Sequence, residues 1–352
     1  MKKMLKQVVG IDVAQNELVV CLGRVNEDLC SELYATKSFS NTLKGFESLQ
    51  QWMGKLVDNQ TPVRYVMEAT GIYHEKLAYY LSEKGCTLTI VLPNKISNYM
   101  RTLQAKTITD KTAAQAIAQF GLERTLDDWN RPDPVYKKLR QLTRERDQII
   151  QERTVIKNQL HAEQSEAEPL KASIKRMTDR ITLLNKQEQQ IKAEIQELLK
   201  QNEEVKAIVK RLCTLTGVGV LTVTTVLGET NCFDLIRNKR QLTSYAGLDI
   251  KEKQSGTSVK GKAQISRKGN KYLRKAMHMP ALSAIQHDQR FKAIYARLIA
   301  RHGLKMKAAV AIQRKLLEMM YVLYKTNTNY DPNYLNKKIE SSETLLPIQA
   351  GI

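Results

Sequence analysis

Three acids stand at places in the sequence where a carboxylate can do chemistry. Asp12 ends the short apolar run VVGID, Glu68 ends the run PVRYVME, and Asp110 opens the segment DKTAAQAIAQFGL. A carboxylate at the end of a buried strand must be paired, hydrogen-bonded or bound to metal. If the fold brings the three together, they can hold one or two Mg²⁺ ions, which would activate an attacking oxygen and neutralise charge on a phosphate.

Each acid also has an ordinary structural explanation. Asp12 suits a turn before a hairpin, while Glu68 suits the start of a helix. Asp110 would complement the positive end of a helix dipole. We favour metal binding by Asp12, Glu68 and Asp110 because the three positions occur in combination.

A second group of reactive residues lies between Lys251 and Lys275, where nine Lys or Arg residues accompany one acid, Glu252. Ser255 lies among glycines, where the backbone can approach a phosphate closely. A solvated flexible loop is the alternative, but clustered positive charge favours contact with phosphodiesters. The cations expected to bind nucleic acid are Lys251, Lys253, Lys260, Lys262, Arg267, Lys268, Lys271 and Arg274.

The composition of the whole chain supports a polyanionic partner. The 352 residues carry a formal net charge of +20, and 42% of them are hydrophobic. A surface that basic attracts nucleic acid and speeds association with it.

Other classes of protein are disfavoured. Asp12 and Glu17 interrupt the apolar run at the N-terminus, and no segment has the roughly 18 uncharged apolar residues of a membrane span. We therefore expect a cytoplasmic protein with no membrane partner. The five cysteines are scattered without CxxC spacing, so neither a disulfide framework nor a zinc site is indicated.

The N-terminal elements follow the order β-β-β-α-β-α-β-α, read from apolar runs and helical spacing. This is the layout of ribonuclease-H-like nucleases, in which the first and fourth strands are neighbours. Asp12 and Glu68 would then meet, while Asp110 approaches from the last helix. The predicted strands cover residues 8–12, 17–24, 33–41, 63–67 and 86–93, and the helices 42–56, 72–84 and 110–122.

The middle of the chain has heptad spacing of apolar residues between Val135 and Lys200, with Pro169 near a turn. This pattern predicts an antiparallel helical hairpin or a coiled coil. A narrow apolar seam usually needs a partner helix, so we predict self-association; a hairpin packed within one chain is the alternative.

The C-terminal region reads as mainly helical. LTGVG between apolar runs predicts a helix-hairpin-helix-like element, whose backbone amides can bind a phosphate, although any tight interhelical turn needs glycine. Helices are predicted over 270–286 and 291–324. We expect an α/β ribonuclease-H-like (RuvC-like) domain at 1–130, a helical coiled-coil region at 131–205, a mainly α C-terminal domain at 206–326 and a polar tail at 327–352.

The motifs resemble those of the DEDD insertion-sequence transposases, a family related to Piv invertases and described as bridge-RNA-guided recombinases. GIDVA, MEATG and TDKTAA match the acidic motifs of that family's resolvase-like N-terminal domain. LTGVG, YAGLD, QSGTSVKGK and SRKGNKYLRKAMHMPA match its C-terminal transposase domain. The resemblance covers nearly the whole chain.

The resemblance implies roles for individual residues. Asp12, Glu68 and Asp110 match the first three acids, and Ser255 matches a nucleophilic serine that forms a phosphoserine linkage with DNA. Metal held by one subunit would activate the serine of another, in a dimer or tetramer. A structured bridge RNA would pair with donor and target DNA, so base pairing would choose the sites.

One position departs from the family pattern. A fourth acid is expected three residues after Asp110, on the same helix face, and this chain has Ala113. A methyl group cannot bind metal. We therefore predict weakened or absent strand cleavage with nucleic-acid binding retained.

Two other functions compete with a recombinase. A non-catalytic nucleic-acid-binding scaffold is favoured by Ala113 and the basic charge. An actin-like ATPase is suggested by GIDVA, but no glycine-rich phosphate loop follows Asp12.

Overall fold

The structure is a computed structural model that describes residues 3–69, 71–103, 107, 109–252, 254–255, 259–260 and 264–333, with backbone only at 254–255 and 259–260. It divides into two compact units, Met1–Arg131 and Pro132–Ile352. In these described ranges, no helix combines the length and apolar character required to cross a bilayer.

The first unit is built on a five-stranded mixed sheet with strand order β3-β2-β1-β4-β5. Strands β1 to β3 form an antiparallel meander, and β4 and β5 run parallel to β1. The prediction that the first and fourth strands are neighbours is confirmed. The elements are β1 (Met4–Val13), β2 (Glu17–Asn26), β3 (Ser31–Ser40), α1 (Leu43–Gly54), β4 (Val63–Glu68), α2 (Glu75–Glu83), β5 (Thr87–Val91), α3 (Pro93–Thr102) and α4 (Asp110–Glu123).

The two faces of this sheet are covered by different helices. Ile11 and Met67 join the core under α1 and α2, because those helices present apolar residues at helical spacing. Helix α4 covers the other face. Its contact with β1 depends on Gly10, since a Cβ there would overlap backbone atoms of Ala114 and Ala118. Glycine thus lets the helix backbone lie directly on the strand.

The second unit is mainly helical and includes two short two-stranded ladders, β6 with β9 and β7 with β8. Its elements are α5 (Pro134–Gln164), α6 (Lys171–Lys200), α7 (Glu203–Leu212), α8 (Val220–Thr230), α9 (Lys239–Tyr245), β6 (Ile250–Lys251), β7 (Gln254–Ser255), β8 (Val259–Lys260), β9 (Gln264–Ile265), α10 (Lys271–Ala276), α11 (His278–His287), α12 (Gln289–His302) and α13 (Lys305–Thr326).

Helices α5 and α6 form an antiparallel hairpin, called the hairpin below, and Pro169 lies in its turn. Ile149 and Ile156 of α5 and Leu184 and Ile191 of α6 are buried in one core cluster. The chain therefore covers its own heptad seam. This seam gives no reason to expect a second chain, and self-association stays a prediction from the family resemblance alone.

Several elements differ from the sequence-based expectation. Helix α3 begins at Pro93, where the sequence predicts only the end of a strand, because proline is favoured in the first helical turn. The helix predicted over 291–324 is two helices, because Gly303 adopts a left-handed φ of +68° and ends α12.

The first residues of the predicted polar tail are attached to the second unit. The backbone N–H of Tyr330 donates to the Thr214 hydroxyl at 2.8 Å, and its phenol donates to Asp288 at 2.7 Å. The remainder of the predicted tail, 334–352, lies outside the described residues.

Candidate active site

Asp12 and Glu68 lie at the carboxyl ends of neighbouring parallel strands. Ile11 of β1 is in register with Met67 of β4. Asp12 directly follows Ile11 in the chain, and Glu68 directly follows Met67. Ile11 and Met67 pack under α1 and α2. Because side chains alternate along a strand, Asp12 and Glu68 share the opposite face, which α4 covers. Both acids are half-buried.

Asp110 reaches the same face from the first turn of α4. Thr109 caps this helix, and its hydroxyl accepts a hydrogen bond from the N–H of Thr112 at 3.2 Å. Burial raises the pKa of Asp12, the negative charge of Asp110 raises it further, and the N–H of Val13 acts in the opposite direction. Asp12 and Asp110 are therefore close enough to repel each other.

In the described residues, the three predicted ligands do not form a complete metal site. Among those residues, no group of three His, Cys, Asp or Glu side chains is close enough to hold a metal ion. The chemistry of the acids nevertheless fits Mg²⁺, which binds one or two carboxylates and takes its other ligands from water and substrate phosphates. A cation between Asp12 and Asp110 would relieve the repulsion that raises the Asp12 pKa.

Ala113 occupies the position beside Asp110 on α4. The spacing of three residues places the two on one helix face, and the Ala113 N–H donates to the Thr109 carbonyl at 2.8 Å. Ala113 is half-buried. A longer side chain at this position would project from the same helix turn as Asp110, whereas the methyl group adds no ligand.

Ser255 belongs to the second unit, in the serine segment, residues 250–265. The backbone of Ser255 pairs with Val259 in the β7–β8 ladder. Its hydroxyl lies outside what the structure describes, as do residues 253, 256–258 and 261–263. The predicted contributions of Lys253 and Lys262 therefore fall outside the described residues, and only the backbone of Lys260 is described.

The other predicted cations divide into two groups. Lys251, Arg267, Lys268 and Lys271 are exposed. Arg274 is engaged within the protein, since its guanidinium donates to the Ala246 carbonyl at 2.8 Å. Its hydrogen bond shows that one residue of the predicted basic cluster also supports the fold.

Sequence reasoning missed a cleft of about 810 Å³ in the second unit. Residues from α5, α8, α10 and α11 line it, among them Arg144, Lys271, Tyr272 and Lys275. Arg144 reads in the sequence as a surface charge of a long helix. Arg144 lines the cleft together with residues that are far apart from it in the chain. Local sequence spacing cannot reveal such a grouping.

Comparisons with known proteins give a consistent family. A transposase family model of the DEDD IS110 type matches residues 9–165, and the model described as "Transposase IS116/IS110/IS902 family" matches residues 209–296. A pilin gene-inverting protein of Moraxella bovis is 28% identical over 93% of this chain and 98% of its own length.

Two further likenesses cover less of the chain. An IS110 insertion-element protein of Streptomyces coelicolor is 28% identical over 43% of this chain and 36% of its own length. A Thermus thermophilus RuvC structure covers 35% of this chain and 99% of RuvC, with 12% identity and a TM-score of 0.28. The fold assignment rests instead on the strand order described above.

The first family match covers most of the first unit and continues to residue 165 in the second unit, the other match lies within the second unit, and together they span more than half of the chain. The motifs that carry the resemblance, from GIDVA to SRKGNKYLRKAMHMPA, fall within these matches. The chain belongs to the IS110 family of DEDD transposases, enzymes that act on DNA.

Proposed function

We propose that this protein is a recombinase that cuts and rejoins DNA strands through a covalent bond to Ser255. The position of Asp12 carries the proposal: it lies near the carboxyl end of β1, on the face covered by α4, where burial and the negative charge of Asp110 both disfavour its ionisation. Carboxylates that repel each other at a strand end suit a site that receives cations. The likeness to pilin gene-inverting proteins supports a reaction in which DNA is cut and rejoined.

The proposed step exchanges one phosphodiester for another. The Ser255 oxygen forms a bond to phosphorus as the bond from phosphorus to one sugar oxygen breaks. The hydroxyl proton leaves to a base, and the displaced sugar oxygen takes up a proton. Attack by a sugar hydroxyl on the phosphoserine would reverse the exchange and join a new strand.

Asp12, Glu68 and Asp110 are the residues proposed to hold Mg²⁺. The ion would supply charge neutralisation and activation of the attacking oxygen. Burial and mutual repulsion make Asp12 harder to ionise, so cation binding should weaken as the pH falls. Isothermal titration with Mg²⁺ should give weaker binding for Asp12→Asn than for the unchanged chain.

We further propose that Ala113 impairs catalysis, because the family pattern has an acid at this position. The test compares the unchanged chain with Ala113→Asp and, as a matched control, Ala113→Asn. Aspartate should restore strand exchange on a matched donor and target, while asparagine of the same shape should not. If Ala113→Asp gives no gain over Ala113→Asn, the impairment proposal is wrong.

Guidance by a structured bridge RNA and assembly as a dimer or tetramer are proposed from the family resemblance. The exposed cations between Lys251 and Lys271 support contact with nucleic acid. A structured noncoding stretch beside the reading frame, complementary to the element's junctions, would support RNA guidance. Sedimentation of the protein with and without that RNA would measure the assembly.

A non-catalytic nucleic-acid-binding scaffold is the second candidate, and Ala113 is the observation that favours it. This alternative predicts that Ser255→Ala leaves every activity intact. The recombinase proposal predicts that Ser255→Ala abolishes the covalent DNA adduct in an Ala113→Asp background. Denaturing electrophoresis of protein bound to labelled DNA distinguishes the two.

A further inference from the structure

Glu229 is a buried carboxylate that the proposed chemistry does not use. It lies in the last turn of α8 and is 2% exposed. Arg144 of α5 binds it with two hydrogen bonds, from Nε to Oε1 at 2.6 Å and from a terminal nitrogen to Oε2 at 2.7 Å. Such a bidentate pair fixes both position and orientation.

A third hydrogen bond connects Glu229 to the helix that follows the serine segment. The side-chain amide of Asn270 donates to Glu229 Oε2 at 2.6 Å. The other end of Asn270, Oδ1, accepts from the N–H of Tyr272 at 2.9 Å and caps α10. Asn270 therefore joins the Glu229 carboxylate to the first turn of α10.

The same contacts lie at the base of the serine segment, which is the name used below for residues 245–249, where the chain enters the segment, and 266–270, where it leaves. The chain entering the segment is bonded to the chain leaving it: Ser266 N–H donates to the Asp249 carbonyl at 2.8 Å, and Asn270 N–H donates to the Tyr245 carbonyl at 2.7 Å. The Tyr245 phenol in turn donates to the main-chain carbonyl of Glu229 at 3.0 Å. Glu229 is thus bonded to residues on both sides of the segment.

A close backbone approach tightens this base. Gly269 has φ +156°, and a Cβ there would lie 2.5 Å from the Tyr245 carbonyl oxygen and 2.7 Å from the Gly247 nitrogen. Only glycine permits that approach. The hairpin adds a second attachment, because Asp147 of α5 forms an ion pair with Lys275 of α10.

We propose that Glu229 is a positioning residue that, through Arg144 and Asn270, holds the base of the serine segment against α5. The role of Ser255 in this inference rests on the proposed function. Loss of the carboxylate should loosen the base while the rest of the unit keeps its fold.

Hydrogen exchange tests the positioning without using activity. Glu229→Gln keeps the shape of the side chain but turns an amide group toward Arg144. The amides of Ser266, Arg267 and Asn270 should exchange about tenfold faster or more, because a buried charge-assisted contact is lost. Amides in α13 should be unaffected.

Glu188 offers a matched control in the same unit. It is 5% exposed and binds Arg146 of α5 at 2.9 Å and Arg153 at 2.5 Å. Glu188→Gln removes a comparable buried charge but does not touch the serine segment. If both variants accelerate exchange at the base equally, the loss is one of general stability and the proposal is overturned.

A second measurement asks whether positioning affects chemistry. In the Ala113→Asp background, Glu229→Gln should lower the rate of covalent adduct formation about tenfold or more, whereas Glu188→Gln should not. An unchanged rate with a loosened base would overturn the proposal. If Ala113→Asp forms no adduct at all, the proposed function fails, and hydrogen exchange alone decides whether Glu229 positions the segment.

Discussion

Carboxylates at least partly removed from solvent occur in both units, but they have opposite surroundings. In the first unit, burial raises the pKa of half-buried Asp12, and the negative charge of Asp110 raises it further. In the second unit, Glu188 and Glu229 are bonded to arginines. Arginines within the protein compensate the buried negative charges of Glu188 and Glu229. Asp12 and Asp110 instead repel each other, which suits them to a cation from outside the protein.

The largest expected loss of stability comes from removing the charged side chain of Arg144 in the second unit. Arg144→Met leaves the Glu229 carboxylate buried without its bidentate partner, which should cost about 3–5 kcal/mol. Unfolding in urea measures the loss. Arg314→Met is the control, because its partner Glu318 has a side chain that is 27% exposed, against 1% for Glu229, and losing a partly exposed pair should cost about 1 kcal/mol or less. Equal losses would mean that burial does not distinguish the two pairs.

The next effect is a loss of stability in acid. Burial tends to raise the pKa of Glu188, but hydrogen bonds from Arg153 and Lys192 and the charge of Arg146 lower it to about 2, from 4.5. Its contribution is therefore complete above pH 4.5 and is lost as the pH falls towards 2. The loss is about 3 kcal/mol for such a shift, and Glu188→Gln should remove this pH dependence. A parallel acid titration of both proteins would contradict the assignment.

Asp12 should show the opposite sign and a smaller effect. Its raised pKa means that ionisation of Asp12 destabilises the fold, so this contribution falls as the pH rises above 3.8. Asp12→Asn without Mg²⁺ should be neutral or stabilising at pH 7, by about 0–1 kcal/mol. Urea unfolding at pH 4 and pH 7 measures it. A clear loss of stability would show that Asp12 has a favourable structural partner.

The sequence predicts the first unit better than the second for a physical reason. Apolar runs and helical spacing locate the strands and α4, and the strand order then implies that Asp12 and Glu68 are neighbours. The distances between Asp110 and the two strand acids depend on how closely α4 approaches β1. Gly10 permits a close approach, but no local sequence pattern predicts the distance.

The second unit depends on pairings that are distant in sequence. The heptad run from Ile174 through Ile181 to Ile195 skips position 188, and this gap marks the buried Glu188. The heptad pattern does not predict that Arg146 and Arg153 are the partners of Glu188. Arg144 and Glu229 are 85 residues apart, and strands of two residues such as β6 have no periodicity to detect.

The contact at Gly10 has a consequence for any attempt to restore the fourth acid. The strand and helix that carry Asp12 and Asp110 meet through Gly10, Ala114 and Ala118, which have no rotatable side-chain torsions that could absorb a shift. An aspartate introduced at position 113 would therefore be placed by the backbone. Recovery of function at this site should need one substitution and no compensating changes in the surrounding core.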